Sequence, residues 1–217
     1  MSQLTFKFPF KTTYYKNDFY VSSNNFEVYK LLESWPNWPS KNINIFGPKG
    51  SGKTHLANIL KKKINSSIFE ACNLTNESLQ KIKSKKCLII DNYNNNIDEK
   101  LLYSTLNQAN QENQYVVINS QSSIKNTDVN LADLKSRFDS FINLGIKLPT
   151  DELLRVILTK SFSDKQIKVN IKLLEYILKN IDRSYEKVFE FIKKIDSESL
   201  STGKSININL IKKVLKK

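Results

Sequence analysis

The chain has 217 residues, 40% of them apolar and 25% charged, and this balance predicts one or two globular domains rather than a disordered chain. No apolar run approaches the roughly 18 residues that a membrane helix requires, and the first ten residues lack the apolar core of a secretory signal, so we expect no membrane span and a cytoplasmic location. The net charge of +13 leaves two interpretations open, because dispersed lysines can reflect an AT-rich genome as well as weak or indirect binding to DNA.

Few residues are candidates for metal or redox chemistry. The two cysteines, Cys72 and Cys87, form no Cys-x-x-Cys pair and lie in segments predicted to belong to the core. We therefore expect both to be buried packing residues without a disulfide or metal role. The lone histidine, His55, has no Cys, Asp or His at ligand spacing, so a structural role is expected for its ring.

The first two thirds of the chain alternate predicted helices with apolar strands. After a polar and aromatic stretch, Asn25–Leu32 has a helical pattern that Pro36 and Pro39 end. Apolar strands separated by amphipathic helices predict an α/β fold around a parallel sheet. Strands are predicted at Ile43–Phe46, Cys87–Ile90, Tyr115–Ile118 and Phe141–Ile146, and helices at Lys53–Ile64 and Asp98–Gln111.

The pattern changes after Leu148, where the remaining segments are helical. Thr150 is placed to cap a helix whose first turn carries Asp151 and Glu152. Apolar residues at helical spacing recur from there to Val214. The sequence therefore predicts an N-terminal peptide and linker at 1–18, an α/β domain at 19–148 and an all-helical lid at 149–217.

A phosphate-binding loop follows the first predicted strand and opens a helix. Its residues are Gly47, Pro48, Lys49, Gly50, Ser51, Gly52, Lys53 and Thr54. Glycines let backbone N–H groups converge on a phosphate, and the positive end of the helix dipole faces the same anion. We expect Lys53 to meet the terminal phosphates of a bound nucleotide and Thr54 to bind Mg²⁺.

A second candidate element of this site is the apolar run Cys87–Ile90, which ends in Asp91. An acid at the end of a buried strand, one crossover after a phosphate-binding loop, is typical of a Mg²⁺ site, so Asp91 is expected to hold the ion through water. The next residue, Asn92, stands where many ATPases have an acid. Because an amide cannot accept the proton of an attacking water, weak or no intrinsic ATPase activity is expected.

The run Gly50–Leu56, in which His55-Leu56 continues the loop, resembles the DnaA/Hda family of AAA+ proteins. The preceding Asp18–Val21 with Asn25 is similar to the segment by which that family encloses adenine. The resemblance covers nearly the whole chain. It implies a AAA+ nucleotide-binding domain with a central parallel sheet, a small helical lid, bound ADP or ATP with Mg²⁺, and nucleotide-site positions for Val21 and His55.

Two features resemble one branch of the family. The pair Asp91-Asn92 departs from the paired acids of the initiator and is similar to Hda, the shorter relative that inactivates it. The Trp-Pro-x-Trp-Pro segment within Trp35–Ser40 resembles alphaproteobacterial members.

The resemblance also implies roles for three residues outside the loop. Arg137, within Leu134–Phe138, resembles an arginine finger that acts in trans on a neighbour's nucleotide. Arg183 resembles the lid arginine that contacts the nucleotide of its own subunit. Without the family, both are ordinary surface arginines. Asn119 resembles a first sensor of the nucleotide, and its neighbours Ser120 and Gln121 are alternatives for that role.

The N-terminal peptide resembles the short segment by which Hda binds the sliding clamp. The side chains concerned are Gln3, Leu4, Phe6 and Phe8. An extended peptide of this kind inserts apolar side chains into a groove while its glutamine forms hydrogen bonds at the edge. The leucine-proline ending that such peptides usually have is missing, because Lys7 stands at that place. The alternative interpretation of this segment is a frayed terminus or an edge strand.

The function implied is regulation of chromosomal replication initiation. An Hda-like protein acts with the sliding clamp, the DNA polymerase beta subunit, to promote hydrolysis of DnaA-bound ATP, and a homodimer is possible. The alternatives are a DnaA-like DNA-associated initiation factor and a helicase-loader-type ATPase. An initiator is expected to carry a helix-turn-helix domain after the lid, and few residues follow Val214.

Overall fold

The structure is a computed structural model that describes residues 14, 16–167, 169–202 and 205–215. Clustering of contacts divides the chain into two units at Lys147 and Leu148. The first unit comprises the described residues from Tyr14 to Lys147, and the second the described residues from Leu148 onward.

The first unit alternates strands with α-helices around one five-stranded parallel sheet in the order β2-β3-β4-β1-β5. The strands are β1 (Asn42–Phe46), β2 (Ser66–Glu70), β3 (Cys87–Tyr93), β4 (Tyr115–Ser120) and β5 (Ile142–Gly145). The helices are α1 (Phe26–Glu33), α2 (Lys53–Lys63), α3 (Asn76–Ile82), α4 (Glu99–Gln111) and α5 (Ala132–Asp139). The predicted α/β fold with a parallel sheet is confirmed.

Strand β2 and helix α3 were not predicted from the sequence pattern. Strand β2 begins with Ser66 and Ser67 and carries only Ile68 and Phe69 as apolar residues. It lies at the edge of the sheet and pairs with β3 alone, so it needs no continuous apolar run. Helix α3 is seven residues long, which is too short to display a clear helical period.

Strand β3 supplies side chains to the cores on both faces of the sheet. Leu88 and Ile90 pack with residues of α4 and α5, whereas Cys87 and Ile89 pack with residues of α1 and α2. All four side chains are fully buried, which explains the near-continuous apolar run. Burial also raises the pKa of the Cys87 thiol to about 12. The same expectation was wrong for Cys72, which is exposed because it lies in a short turn after β2.

The second unit is helical over its described residues. Its helices are α6 (Asp151–Asp164), α7 (Ile171–Asn180), α8 (Tyr185–Thr202) and α9 (Ile208–Leu215). The Thr150 hydroxyl accepts a hydrogen bond from the Leu153 amide at 3.3 Å, as expected of an N-cap. Leu158, Ile177 and Ile195 are fully buried in the core between the helices. No helix in the described part of the chain is long and apolar enough to cross a membrane.

Candidate functional site

The candidate site lies at the carboxyl ends of the neighbouring strands β3, β4 and β1. The phosphate-binding loop joins β1 to α2, Asp91 lies near the end of β3, and Asn119 lies near the end of β4. In a parallel sheet these ends share one edge, so residues far apart in sequence meet there. The loop and both side chains are therefore brought together by the strand order.

Two glycines give the loop its shape. Gly52 is the N-cap of α2 with φ +94°, and a Cβ built there would lie 2.9 Å from the ring of Phe19. A Cβ at Gly47 would lie 2.8 Å from the carbonyl oxygen of Ile146. Gly52 is thus required for its left-handed backbone conformation, and both glycines are required because neighbouring atoms lie close to them. With this shape, the loop lies at the first N–H groups of α2.

We expect Gly52→Ala to destabilise the protein by about 2–4 kcal/mol, because left-handed backbone strain adds to a steric clash. Gly50→Ala is the matched control, since Gly50 also has a left-handed φ of 82° but no close neighbour at its Cβ position among the described residues. Chemical denaturation would measure both variants. Equal losses in the two would show that contact with Phe19 contributes nothing.

Lys53 is held inside the loop. Its side-chain amine donates hydrogen bonds to the carbonyl oxygens of Gly47 at 2.7 Å and Pro48 at 3.1 Å, and the residue is 7% exposed. Burial lowers the pKa of this amine, and the nearby Asp91 carboxylate opposes that effect. The loop carbonyls therefore keep a desolvated cation at the mouth of α2.

Asp91 and Asn119 form a buried pair beside Lys53. The Asn119 amide nitrogen donates to Asp91 Oδ1 at 2.8 Å and to the Lys53 carbonyl oxygen at 3.2 Å. Because both partners are acceptors, the orientation of the amide is fixed. Its oxygen Oδ1 is then buried without a donor among the described residues, a situation that costs about 1–3 kcal/mol. An unsatisfied buried acceptor at this place fits a site completed by a ligand or by its bound water.

A nucleotide with Mg²⁺ fits the residues present. The N–H groups at the start of α2 and the Lys53 amine suit phosphate oxygens. Thr54 and Asp91 supply oxygen ligands of the kind that Mg²⁺ prefers, and the ion takes its remaining ligands from phosphate and water. Across residues 14, 16–167, 169–202 and 205–215, no group of three or more His, Cys, Asp or Glu could hold a metal. A resident metal site separate from a nucleotide is therefore not indicated in this part of the chain.

The segment before α1 is fixed beside the loop. Asn25 is buried and braces it, because its side chain donates to the Tyr20 carbonyl at 3.0 Å and accepts from the Ser22 amide at 2.9 Å. Val21, between them, is half-buried. The ring of His55 meets Phe19 edge-on, with centroids 5.5 Å apart. The structure thus places Phe19 beside Gly52 and His55, and Val21 lies two residues after Phe19 in the same segment.

Asn92 lies on a bulge of β3 with a left-handed φ of 55°. Its amide nitrogen donates to both carboxylate oxygens of Glu70, at 2.9 and 3.2 Å. Glu70 ends β2 and is the register partner of Asp91. Position 92 itself has no carboxylate, but the carboxylate of Glu70 lies beside it on the neighbouring strand. Glu70 was not identified from the sequence because β2 was not predicted.

Asn44 is a second residue that sequence reasoning missed. It is fully buried in β1, donates to the Ile118 carbonyl at 2.9 Å and to Ser120 Oγ at 2.8 Å, and accepts from the Ile124 amide at 3.2 Å. These contacts fix the loop that follows β4, next to Asn119. A polar residue inside an apolar strand was the signal that could have identified it.

We expect Asn44→Leu to destabilise the protein by about 2–4 kcal/mol, because two backbone groups and one hydroxyl lose buried partners. Thermal unfolding would measure the loss. Asn42→Leu is the control, since Asn42 lies on the same strand but its side chain has only a long hydrogen bond of 3.4 Å to Ser140. Similar losses in the two variants would contradict this account.

Arg137 lies in the last turn of α5. Its guanidinium is half-buried and donates to the side-chain oxygen of Asn107 on α4. Asn107 was not identified from the sequence, and no sequence signal distinguishes it. The contact holds the half-buried guanidinium of α5 against α4.

Of the remaining predicted residues, the structure describes Arg183, which belongs to the second unit. Arg183 lies between α7 and α8, and its guanidinium donates to both carboxylate oxygens of Asp151, at 2.7 and 2.9 Å. This bidentate hydrogen bonding lowers the pKa of the Asp151 carboxyl. The side chains are exposed, so the pair contributes little to stability. The predicted clamp-binding residues Gln3, Leu4, Phe6 and Phe8 lie outside the described residues.

Comparison with known proteins assigns the fold. A sequence-family model described as RNA helicase matches residues 43–132, which span the phosphate-binding loop and Asp91. The structure is similar to domain III of the replication initiation protein DnaA from Thermotoga maritima, with a TM-score of 0.80 at 19% identity, covering 96% of this chain and 98% of that one. The chain therefore has the fold of that DnaA domain.

Sequence relatives and other solved structures include further DnaA proteins. The chromosomal replication initiator protein DnaA of Buchnera aphidicola is 27% identical across 99% of this chain and 53% of its own length, and that of Borrelia duttonii is 26% identical across 98% and 50%. This chain thus spans about half the length of these relatives. AMPPCP-bound DnaA from Aquifex aeolicus matches with a TM-score of 0.68 at 20% identity, covering 86% of this chain and 66% of that one. The RuvB branch migration motor of Thermotoga maritima matches with 0.64 at 20% identity, covering 88% and 67%.

Proposed function

We propose that this DnaA-like chain is an adenine-nucleotide-binding regulator of replication initiation that promotes hydrolysis of ATP held by DnaA, the role of Hda. The observation that carries the proposal is the position of Arg137, half-buried at the end of α5 and held by Asn107. A guanidinium fixed at the surface of a AAA+ unit is suited to stabilise charge on a phosphate bound by another subunit. Asn92 supports a partner-directed role, because the chain's own site lacks a base at that position.

The nucleotide part of the proposal rests on the loop and its neighbours. Lys53 and the α2 N-terminus suit the phosphates, Thr54 and Asp91 suit Mg²⁺, and the free acceptor of Asn119 suits bound water. The similar structure of Aquifex aeolicus DnaA is described as AMPPCP-bound. We propose that Val21 borders the adenine of ADP or ATP. Arg183 would contact the nucleotide after exchanging its Asp151 partner for phosphate.

The clamp part of the proposal rests on the sequence alone. Gln3, Leu4, Phe6 and Phe8 would dock in an apolar groove of the sliding clamp, which tethers the protein at replicating DNA. DnaA is then the partner whose ATP is hydrolysed. A homodimer would serve as a resting state that DnaA displaces.

The test combines the purified protein with ATP-loaded DnaA and DNA-loaded clamp and follows phosphate release. We expect hydrolysis on DnaA to accelerate by about tenfold or more only when all components are present. Turnover unchanged by this chain would overturn the proposal. Nucleotide retained through purification and identified by chromatography tests the binding part separately.

A second candidate is a DnaA-like initiation factor that assembles with DNA itself. The observation that favours it is that the named relatives are initiators, matched along nearly the whole of this chain. The same reaction mixture distinguishes the candidates. An initiation factor would assemble with ATP-bound DnaA at an origin and promote strand opening without accelerating hydrolysis of the bound ATP.

Intrinsic hydrolysis gives a further prediction. Asn92→Glu alone is expected to leave ATP turnover within about threefold of the wild type, because the new carboxylate would face Glu70 and the repulsion favours a protonated, inactive form. Asn92→Glu combined with Glu70→Gln removes that repulsion, and we expect about a tenfold gain in turnover. Steady-state phosphate release measures all three proteins, with Glu70→Gln as the matched single change. A single Asn92→Glu variant as fast as the double would contradict the role of Glu70.

A further inference from the structure

The amino ends of the five strands share the edge of the sheet opposite the candidate nucleotide site. Helix ends and loops lead into the strands there. Eight lysines in these segments form what we call the basic edge: Lys41, Lys61, Lys62, Lys63, Lys81, Lys83, Lys85 and Lys86. All are exposed except Lys85, which is half-buried. In sequence they are Lys41 and two separate short runs, and the strand order brings the three groups to one edge.

Backbone contacts hold these segments side by side. The Lys86 amide donates to the Asn65 carbonyl at 2.8 Å, between the starts of β3 and β2. The Gln114 side chain donates to the Lys85 carbonyl at 2.9 Å, between β4 and β3. The Val116 amide donates to the Lys41 carbonyl at 2.7 Å, between β4 and β1. The segments that lead into β2, β3, β4 and β1 therefore lie side by side, and those before β2, β3 and β1 carry the lysines of the basic edge.

The edge holds the whole charge excess of the first unit. Residues 14–147 contain seventeen Lys and Arg against twelve Asp and Glu. Nine of these cations, the eight lysines of the basic edge and Arg137, lie in the last three residues of a helix or in the loop from there to the next strand, together with only three of the acids. The remaining eight cations and nine acids nearly cancel. The positive field of this unit therefore originates at one edge.

Helix capping explains only part of this surface. Cations favour helix C-termini, which accounts for Lys61, Lys62 and Lys63 in the last turn of α2. Lys81 in the last turn of α3 and its C-cap residue Lys83 are favoured in the same way, whereas Lys41, Lys85 and Lys86 lie beyond the helix ends. Helix α4 ends at the same edge and has no basic residue in its last turn. The excess beyond capping fits an external anion.

We propose that the basic edge binds the phosphate backbone of nucleic acid without reading sequence. Within the described residues, Lys81, Lys83 and Lys86 have no carboxylate partner, so their charges are available to phosphates. The exposed large apolar residues described in this unit are Tyr20 and Phe26, neither of which lies in these segments. Protein interfaces are depleted in lysine and are centred on apolar anchors, so an acidic protein fits this edge less well than a polyphosphate does.

The experiment measures binding of labelled single-stranded and duplex DNA by fluorescence anisotropy between about 50 and 200 mM salt. The full chain is compared with the triple variant K81A/K83A/K86A. The control is K100A/K125A/K135A, which removes the same charge from exposed lysines elsewhere in the unit. We expect the edge variant to lose affinity at least about tenfold and its salt slope to fall by about 2–3 on duplex, with the control close to the full chain.

Equal losses in the two triple variants would overturn the proposal, because binding would then follow net charge alone. Binding that does not change with salt would also overturn it, as would equally effective displacement of DNA by polyglutamate at the same charge concentration. The single-strand and duplex arms show which form is preferred. If the triple variant misfolds, the double variant K83A/K86A, which changes only the loop before β3, replaces it in the binding measurement. Nucleotide retention and stimulation of DnaA are separate readouts, so failure here is distinct from failure of the proposed function.

Discussion

Replacing Arg137 with alanine is expected to lower the stimulated rate of ATP hydrolysis on DnaA by about a hundredfold or more, while nucleotide binding by this chain stays unchanged. A guanidinium that reaches a transferring phosphate stabilises charge that develops only in the transition state, so its loss lowers the rate rather than the affinity. Single-turnover hydrolysis of labelled ATP preloaded on DnaA would measure the effect. Arg137→Lys should also fail, because a point charge cannot reproduce the planar fork.

Two controls separate this role from a structural one. Lys135→Ala removes an exposed cation two residues away on α5 and is expected to keep stimulation intact. Asn107→Ala removes the side chain that holds the guanidinium, and we expect a partial loss that adds nothing to Arg137→Ala. An Arg137→Ala variant that stimulates as well as the wild type would remove the basis of the proposed function. A large drop in the melting temperature of the Arg137→Ala variant would instead show that Arg137 stabilises the fold.

Lys53→Ala is expected to weaken binding of ADP and ATP by about a hundredfold. A buried amine at the start of α2 can exchange its loop carbonyl partners for phosphate oxygens, and charge-assisted bonds of this kind contribute about 1.5–3 kcal/mol each. Titration calorimetry would measure the affinity. Lys49→Ala is the control, because Lys49 lies in the same loop but is exposed, and less than about a tenfold effect is expected there.

The Lys53 variant should remain folded, because the change removes the desolvated cation together with its hydrogen bonds. Circular dichroism would check this. Affinity for ADP within about threefold of the wild type would show that Lys53 is not a phosphate ligand.

The sequence was sufficient for the elements whose signals are local. The phosphate-binding loop was readable because its glycines and Lys53 are consecutive, and β3 because a strand buried on both faces must be apolar throughout. Strand β2 was missed because only two of its five residues are apolar, so it lacks the continuous apolar run that identified β3. Cys72 was misjudged because a few apolar neighbours do not distinguish a core strand from a turn.

By itself, then, the sequence determined a parallel α/β unit, the loop that opens α2 and the helical composition of the second unit. Tertiary structure alone decided which side chains meet. Asn119 reaches Asp91 across 28 residues and Asn92 reaches Glu70 across 22, because neighbouring parallel strands bring their ends together only after a crossover helix. The parallel strand order places the lysines before β1, β2 and β3 along one edge, so groups of lysines that are separate in the chain share one surface in the fold.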